Sequence, residues 1–256
     1  NSAKMGWVRA DDYEVLRQGP EVWNEYRKTQ RASNSSWVAD LADVSLPGAN
    51  LTRADLTGAN LTRAILTDVS LIGADLTGAD LTEARLTRAD LTDVILIRAN
   101  LTRVDLIRAE MRYANLLRAD LTEADLTEAG LRYADLTEAG LRYADLTGAD
   151  LSDANLAGAI LTDVVLSLAV LRDTDLYGAD LTRASLSGAD LAGAHLAFTV
   201  LADVDVSSFC AAQGLTHWRP SYLDSRTVMR SFSHPRLKEF MAACGVPWIF
   251  AEYMVD

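Results

Sequence analysis

Few residues in this chain are equipped for chemistry. There are three histidines, His195, His217 and His234, and two cysteines, Cys210 and Cys244. None of the histidines has a partner at zinc-ligand spacing. His195 occupies a position where neighbouring segments carry Asp or Asn, which reads as a surface substitution. The two cysteines lack a nearby His motif and read as structural thiols, suited to a reducing, cytosolic setting. There is no glycine-rich phosphate loop and no serine nucleophile elbow. Carboxylates are plentiful but recur at a fixed period, so picking two as an acid and base would be arbitrary. The residues point to a non-catalytic chain with no cofactor and no metal.

Charge narrows the partners. The formal net charge of -12 argues against direct binding to nucleic acid or an anionic membrane. No run approaches the ~18 apolar residues of a spanning helix, and no signal peptide is apparent. The opening "NSAK" before Met5 reads as a remnant of expression.

The elements that carry these residues follow from one period. From Leu41 to Leu201 every fifth residue is large and apolar, 33 positions in all, each Leu except Met111; Val206 extends the series. Met replaces Leu at similar volume, so Met111 reads as core. Two residues before each stands a small residue, mostly Ala, and between them mostly Asp or Asn. On an α-helix, residues five apart drift by about 140° per step, which would spiral the leucines around the whole surface. On a strand, every second Leu would face water. A five-residue unit that turns a corner each time avoids both problems. Four units then make a square coil of 20 residues with Leu inward. Nine Gly stand two residues past a Leu (48, 58, 73, 78, 148, 158, 178, 188, 193) and suit turns that need positive φ.

"ADLTGANLTRA" and its neighbours resemble the pentapeptide-repeat family, A-(D/N)-L-x-x. The resemblance covers about two thirds of the chain. It implies an all-β solenoid, a right-handed quadrilateral β-helix of about eight coils and roughly 40 Å. Composition gives the expected division. Residues 1–37 form an N-terminal helical cap, 38–206 the repeat and 207–256 a C-terminal helical cap or connector. All five Trp and all three Lys lie outside 38–206. Open solenoid ends need covers. "DYEVLRQG" and "EVWNEYRK" read as short helices broken at Gly19-Pro20. "PRLKEFMAACGVP" reads as a helix from Pro235, with Leu237, Phe240, Met241 and Cys244 on one face and Gly245 and Pro247 ending it.

The flanks carry a second resemblance. "R-T-V-M-R-S" (Arg226 to Ser231) and "F-M-A-A-C-G-V-P" (Phe240 to Pro247) are similar to the segment after the repeats in bacterial pentapeptide-repeat proteins with a TIR domain. "LRQGPEVWNEYR" (Leu16 to Arg27) is similar to their lead-in. This implies the assembly or sensing region of a cytoplasmic immune protein whose NAD-hydrolysing TIR domain lies beyond Asp256. Nothing here supplies the TIR catalytic glutamate. Some family members resemble duplex DNA and inhibit DNA gyrase, which gives the alternative of an acidic decoy. Of the 27 acids in 38–206, 16 occupy the family's own Asp/Asn position; the remaining 11 face 12 Arg at variable positions. The exception is Tyr143 to Val206, with ten acids and two Arg.

Stacking variable positions by the 20-residue coil gives candidate surfaces. Tyr113 lies over Tyr133, with Arg112 beside Arg132. Ile95, Ile97 and Leu117 share a face on adjoining coils, and Ile160, Val165 and Val170 wrap three sides of a later coil. Clustered outward apolars mark contact surfaces. Arg63, Glu83, Arg103 and Glu123 form a column of alternating sign. The expected partners are further copies of the chain, as a homo-oligomer or filament, or another protein.

Overall fold

The computed structural model describes residues 10–217, 219–247 and 251. The parts of the two expected caps at 1–9, 218, 248–250 and 252–256, with Trp7, Trp218 and Trp248, lie outside the described residues.

Each five-residue unit closes a β-turn. In one of them Ala54 N–H donates to Leu51 O at 3.0 Å, and Arg53, third in the turn, has φ 58°. A positive φ at that position is the mark of a type II turn. All nine Gly expected there have positive φ, between 61° and 73°. Yet Arg, Asp, Glu, Tyr, Leu and Phe adopt the same conformation at this position, with φ 54–61°. The left-handed turn therefore belongs to the position and not to glycine. For a residue with a Cβ it costs about 1–2 kcal/mol, and the stacked coil offsets it. Arg53 N–H donates to Ile72 O at 2.9 Å and Leu51 N–H to Ser70 O at 2.7 Å, while Asp75 N–H donates to Ala54 O at 3.0 Å.

These bonds recur with a spacing that makes the molecule four-sided. Parallel bridges join residues twenty apart, from Asp40↔Asn60 to Asp180↔Val200. Leu41, Leu61, Leu71 and Leu126 are among the inward residues with no exposed surface, and Met111 is as fully buried. The small residues fill the corners beside them. Where Thr replaces Ala, at Thr174 and Thr199, each buried hydroxyl donates to a carbonyl (Leu151 O and Leu176 O, both 2.9 Å). The Asp/Asn position serves the turn that follows it. Asp55 Oδ1 accepts from Thr57 N–H at 3.1 Å and from its hydroxyl at 2.6 Å; Asn60, Asp80, Asp90 and Asn100 repeat the pattern. This is the local bonding for which Asp, Asn and Thr compete.

Two helices lie against the first coil: α1 (Ala10–Leu16) and α2 (Pro20–Ser33). Pro20 opens α2, where its missing N–H is no loss. The first coil has carbonyls with no earlier coil to donate to them. Side chains of α2 supply the donors. Trp23 Nε1 donates to Asp55 O at 2.7 Å, Asn24 Nδ2 to Arg53 O at 3.0 Å, and Arg27 and Arg31 both to Thr57 O. Asn24 Oδ1 accepts from Asp55 N–H at 2.8 Å. Trp23 and Arg27 are buried. Arg27 Nε lies 2.9 Å from Asp55 Oδ2, although that N–H is not aligned for a hydrogen bond.

Beyond the repeat the chain keeps stacking for part of a turn. β1 (His195–Leu196) pairs with β3 (Thr216–His217), and β2 (Val200–Leu201) with β4 (Tyr222–Leu223). Their offsets grow to 21 and 22 residues, so the coil loosens before it ends. Between them lies α3 (Ser207–Ala211); α4 (Ser225–Arg230) and α5 (Leu237–Ala243) follow. α5 begins two residues later than the sequence indicates, with Arg236 at its N-cap. Its expected face, Leu237, Phe240, Met241 and Cys244, is buried, and Gly245 follows at φ 94°. The last coil has N–H groups with no later carbonyl, and side chains of α4 and of the two residues that cap it meet several of them. Asp224 Oδ1 accepts from Asp203 N–H at 3.0 Å, Thr227 Oγ1 from Val204 N–H at 3.2 Å, and Ser231 Oγ from Val206 N–H at 2.8 Å. Among the described residues no helix is long and apolar enough to cross a membrane.

Candidate interaction surface

The left-handed turn position points its side chain away from the core, and the coil places each such side chain over the one twenty residues on. Tyr113 and Tyr133 meet this way. Their rings stack with centroids 5.1 Å apart and planes 12° from parallel. Both remain exposed, at 51% and 41%. The Arg132 guanidinium lies 5.4 Å from the Tyr133 ring centroid. It also approaches Asp150 at 4.0 Å and Asp153 at 3.7 Å. Arg112 is exposed. Beside the two arginines, Gly130 and Gly148 leave a notch of about 290 Å³, bordered by Glu110, Glu128 and Asp150. Tyr143, ten residues past Tyr133, stands on another column and is 59% exposed.

The six expected aliphatic contact residues are placed differently. Ile95, Ile97, Leu117, Ile160, Val165 and Val170 are half-buried, not exposed. Ile95 bridges Asp75 and Asn115, and Val165 bridges Asp145 and Ser185. Neighbouring coils on both sides therefore cover much of each side chain, as a sheet covers the flanks of a strand residue. Sequence reasoning missed other exposed apolar residues: Leu168 at 66%, Tyr177 at 48%, Phe198 at 51%, Met229 at 74%, Phe232 at 52% and Val22 at 45%. Tyr177 and Phe198 pack edge to face, centroids 5.6 Å apart. The twenty-residue column would not have paired them, since it sets Phe198 over Gly178 and Tyr177 under Ala197. No periodic signal marks Met229, Phe232 or Val22, which lie in the non-repeating ends.

Ion pairs use the same twenty-residue step. Arg63 meets Asp43 and Arg88 meets Asp68, each at 2.7 Å. Arg103 meets Glu83 at 2.9 Å, Arg118 meets Glu138 at 2.7 Å and Arg183 meets Asp163. The expected column is thus a set of pairs, Asp43–Arg63 and Glu83–Arg103. Hydrogen bonds from the guanidinium groups hold Asp43, Asp68, Glu128, Glu138 and Asp163 below the usual carboxylate range.

The cysteines are buried in the C-terminal segment. Burial pushes both thiols up to about 12, which leaves them poor nucleophiles. Cys244 Sγ lies 3.8 Å from His217 Nδ1, and burial lowers the His217 pKa. His195 Nδ1 is bonded to Thr216 Oγ1 at the β1–β3 pairing. Among the described residues no group of three or more His, Cys, Asp or Glu is arranged to hold a metal ion.

Comparison with known proteins falls on the coil. The sequence pattern of the family described as pentapeptide repeats matches in eight copies, over residues 39–71, 70–106, 84–120, 99–137, 119–156, 149–188 and 179–208. No curated protein matches the chain. Among solved structures, it is similar to HetL of the cyanobacterium Nostoc, a pentapeptide repeat protein involved in heterocyst differentiation regulation. The identity is 32%, over 75% of this chain and 90% of that one, with a TM-score of 0.38. A pentapeptide repeat protein of the Arabidopsis thaliana thylakoid lumen is 29% identical over 50% of this chain and 69% of its own, with a TM-score of 0.21. QnrB1, a plasmid-mediated fluoroquinolone resistance protein, is 20% identical over 76% of this chain and 97% of its own, with a TM-score of 0.39.

Proposed function

The chain belongs to the pentapeptide-repeat family, and from that premise we propose that it is a non-catalytic scaffold, one that assembles with further copies and holds a protein partner on its side. The observation that carries this reading is the stacked, exposed Tyr113–Tyr133 pair with Arg132 against it. Tyr and Arg are enriched where proteins meet: Tyr brings large area, a polar tip and little entropy to lose, and Arg a planar fork of donors. A rigid coil presents them without ordering cost. The lateral contact surface proposed is therefore centred on Arg112, Tyr113, Arg132 and Tyr133, whose two rings are more exposed than the half-buried aliphatic residues. Light scattering at tens of micromolar tests the assembly reading. It predicts a mass above the 27.8 kDa of one chain; a single-chain mass throughout would contradict it.

The likeness of the two flanking segments to those of TIR-domain proteins supports a finer reading, in which this scaffold is the front part of a longer, cytoplasmic bacterial protein that carries an NAD-hydrolysing TIR domain. The native reading frame tests that placement: it should continue into a TIR sequence, and any other continuation removes it. A second reading is an acidic decoy for DNA gyrase, favoured by the ten acids against two Arg from Tyr143 to Val206. Several of these acids are engaged within the coil, Asp145, Asp150 and Asp180 by the following Thr or Ser and Asp163 and Asp190 by Arg. A supercoiling assay decides, since a decoy inhibits gyrase at micromolar protein.

A further inference from the structure

The two ends of the coil are closed by helices that use only one face to do so. On α2, Trp23 and Arg27 point into the coil, while Val22, Glu25 and Thr29 lie on the opposite side, since successive helical residues are about 100° apart. That outer side and α1 form a shallow, open groove whose apolar surface comes from Val15, Val22 and Tyr26, edged by Glu21 and Glu25. Glu25 pairs with Lys28 on the solvent side. At the other end, Thr227, Val228 and Ser231 are buried against the coil. Arg226, Met229 and Arg230 occupy the reverse face of α4, with Phe232 just beyond it. Met229 is 74% exposed and Phe232 52%. Arg226 and Arg230 share one carboxylate, Asp203, and Asp224 and Asp205 lie close by, so the two guanidinium groups stand out on this face without making the whole end positive.

We propose that the ends join head to tail: Met229 and Phe232 of one copy seat in the α1–α2 groove of a second copy. This rests on the assembly reading above and specifies its interface. Three features select a second copy as the occupant. The groove is apolar where the other end projects apolar side chains. Its rim is acidic where that end carries two arginines, and unlike charge steers and registers such contacts. Several of the strand-edge groups that would otherwise join coils are already taken by side chains of α2 and of α4 with its two capping residues, so end-to-end growth would pass through the outer faces of those helices. A contact between two different surfaces does not close on itself and produces an open filament.

Two substitutions on exposed residues test this without entering the core. Val22→Glu blocks the groove, and Phe232→Glu blocks the projecting end. Sedimentation velocity should show each variant alone shifted to single chains, with the concentration for half-assembly raised on the order of tenfold or more. Mixed one to one, the two variants should form dimers and nothing longer, because each retains the one surface the other lacks. Assembly at low salt should exceed that at high salt. Wild-type assembly that both variants retain would overturn the inference and leave the assembly reading standing. Recovery of each variant as a dimer by itself would point to a contact between like ends and overturn it as well. A wild type that stays single-chain at tens of micromolar would remove both.

Discussion

At the residue scale, the repeat assigns one physical task to each of its five positions. The inward Leu supplies burial worth about 1.5–3 kcal/mol. Leu126→Asp places an unpaired carboxylate where nothing is exposed and should unfold the coil; an unchanged melting temperature would refute the inward assignment. The turn position is the least obvious of the five. Its glycines were legible as turn residues, but the residues around them gave no sign that Arg or Tyr would adopt the same φ. The reason is that the ladder, and not the side chain, sets the conformation. Arg98 has φ 55°, so Arg98→Asn, which suits that region, should stabilise by a few tenths to ~1 kcal/mol. Gly193→Ala should do the opposite, because φ 73° penalises a residue with a Cβ and that Cβ would crowd the Asp173 carboxylate. Thermal melts of the two variants should move in opposite directions.

At the element scale, what matters is how a coil stops. The need for covers followed from the unpaired edges, and the helices at both ends were legible from Gly19-Pro20 and from the apolar face after Pro235. What was not legible is that the covers work by side chains imitating the missing coil. Trp23, Asn24 and Arg27 stand in for donors, and Asp224, Thr227 and Ser231 for acceptors. The flanks lack the period, so no column argument reaches them. Thr227→Val keeps the shape but removes both the donor to Leu201 O and the acceptor for Val204 N–H. Leaving those groups buried and unmet should cost about 1–3 kcal/mol for each group, read as a lower denaturant midpoint with an unchanged slope. Asp55 and Asp224 sit at the two ends. Burial alone would raise both carboxyls, but Thr57 and Arg27 at one end, and the Asp203 and Thr227 N–H groups at the other, lower them. A depressed folded-state pKa contributes stability above the unfolded value of about 4, lost as pH falls through the folded value. Stability should thus be flat from neutral pH to about 5 and decline below about 4. The exposed Arg–carboxylate pairs add little to this and are screened by salt.

At the scale of the whole molecule, a coil with a twenty-residue period acts as a ruler. It fixes which variable residues meet, and that is why Tyr113 stacks on Tyr133 and not on Tyr143. The sequence revealed that pairing because it depends only on the period. It set the aliphatic clusters on the coil's sides but not their exposure, because burial of an outward residue depends on the coils above and below it, which a linear pattern does not display. Under the proposed function, this ruler serves to assemble copies and present surfaces. Electron microscopy of the wild-type protein at tens of micromolar tests it most directly. Head-to-tail assembly predicts particles several rods long, lined up along the coil axis. A field of uniform single rods, unchanged as concentration rises, would contradict it.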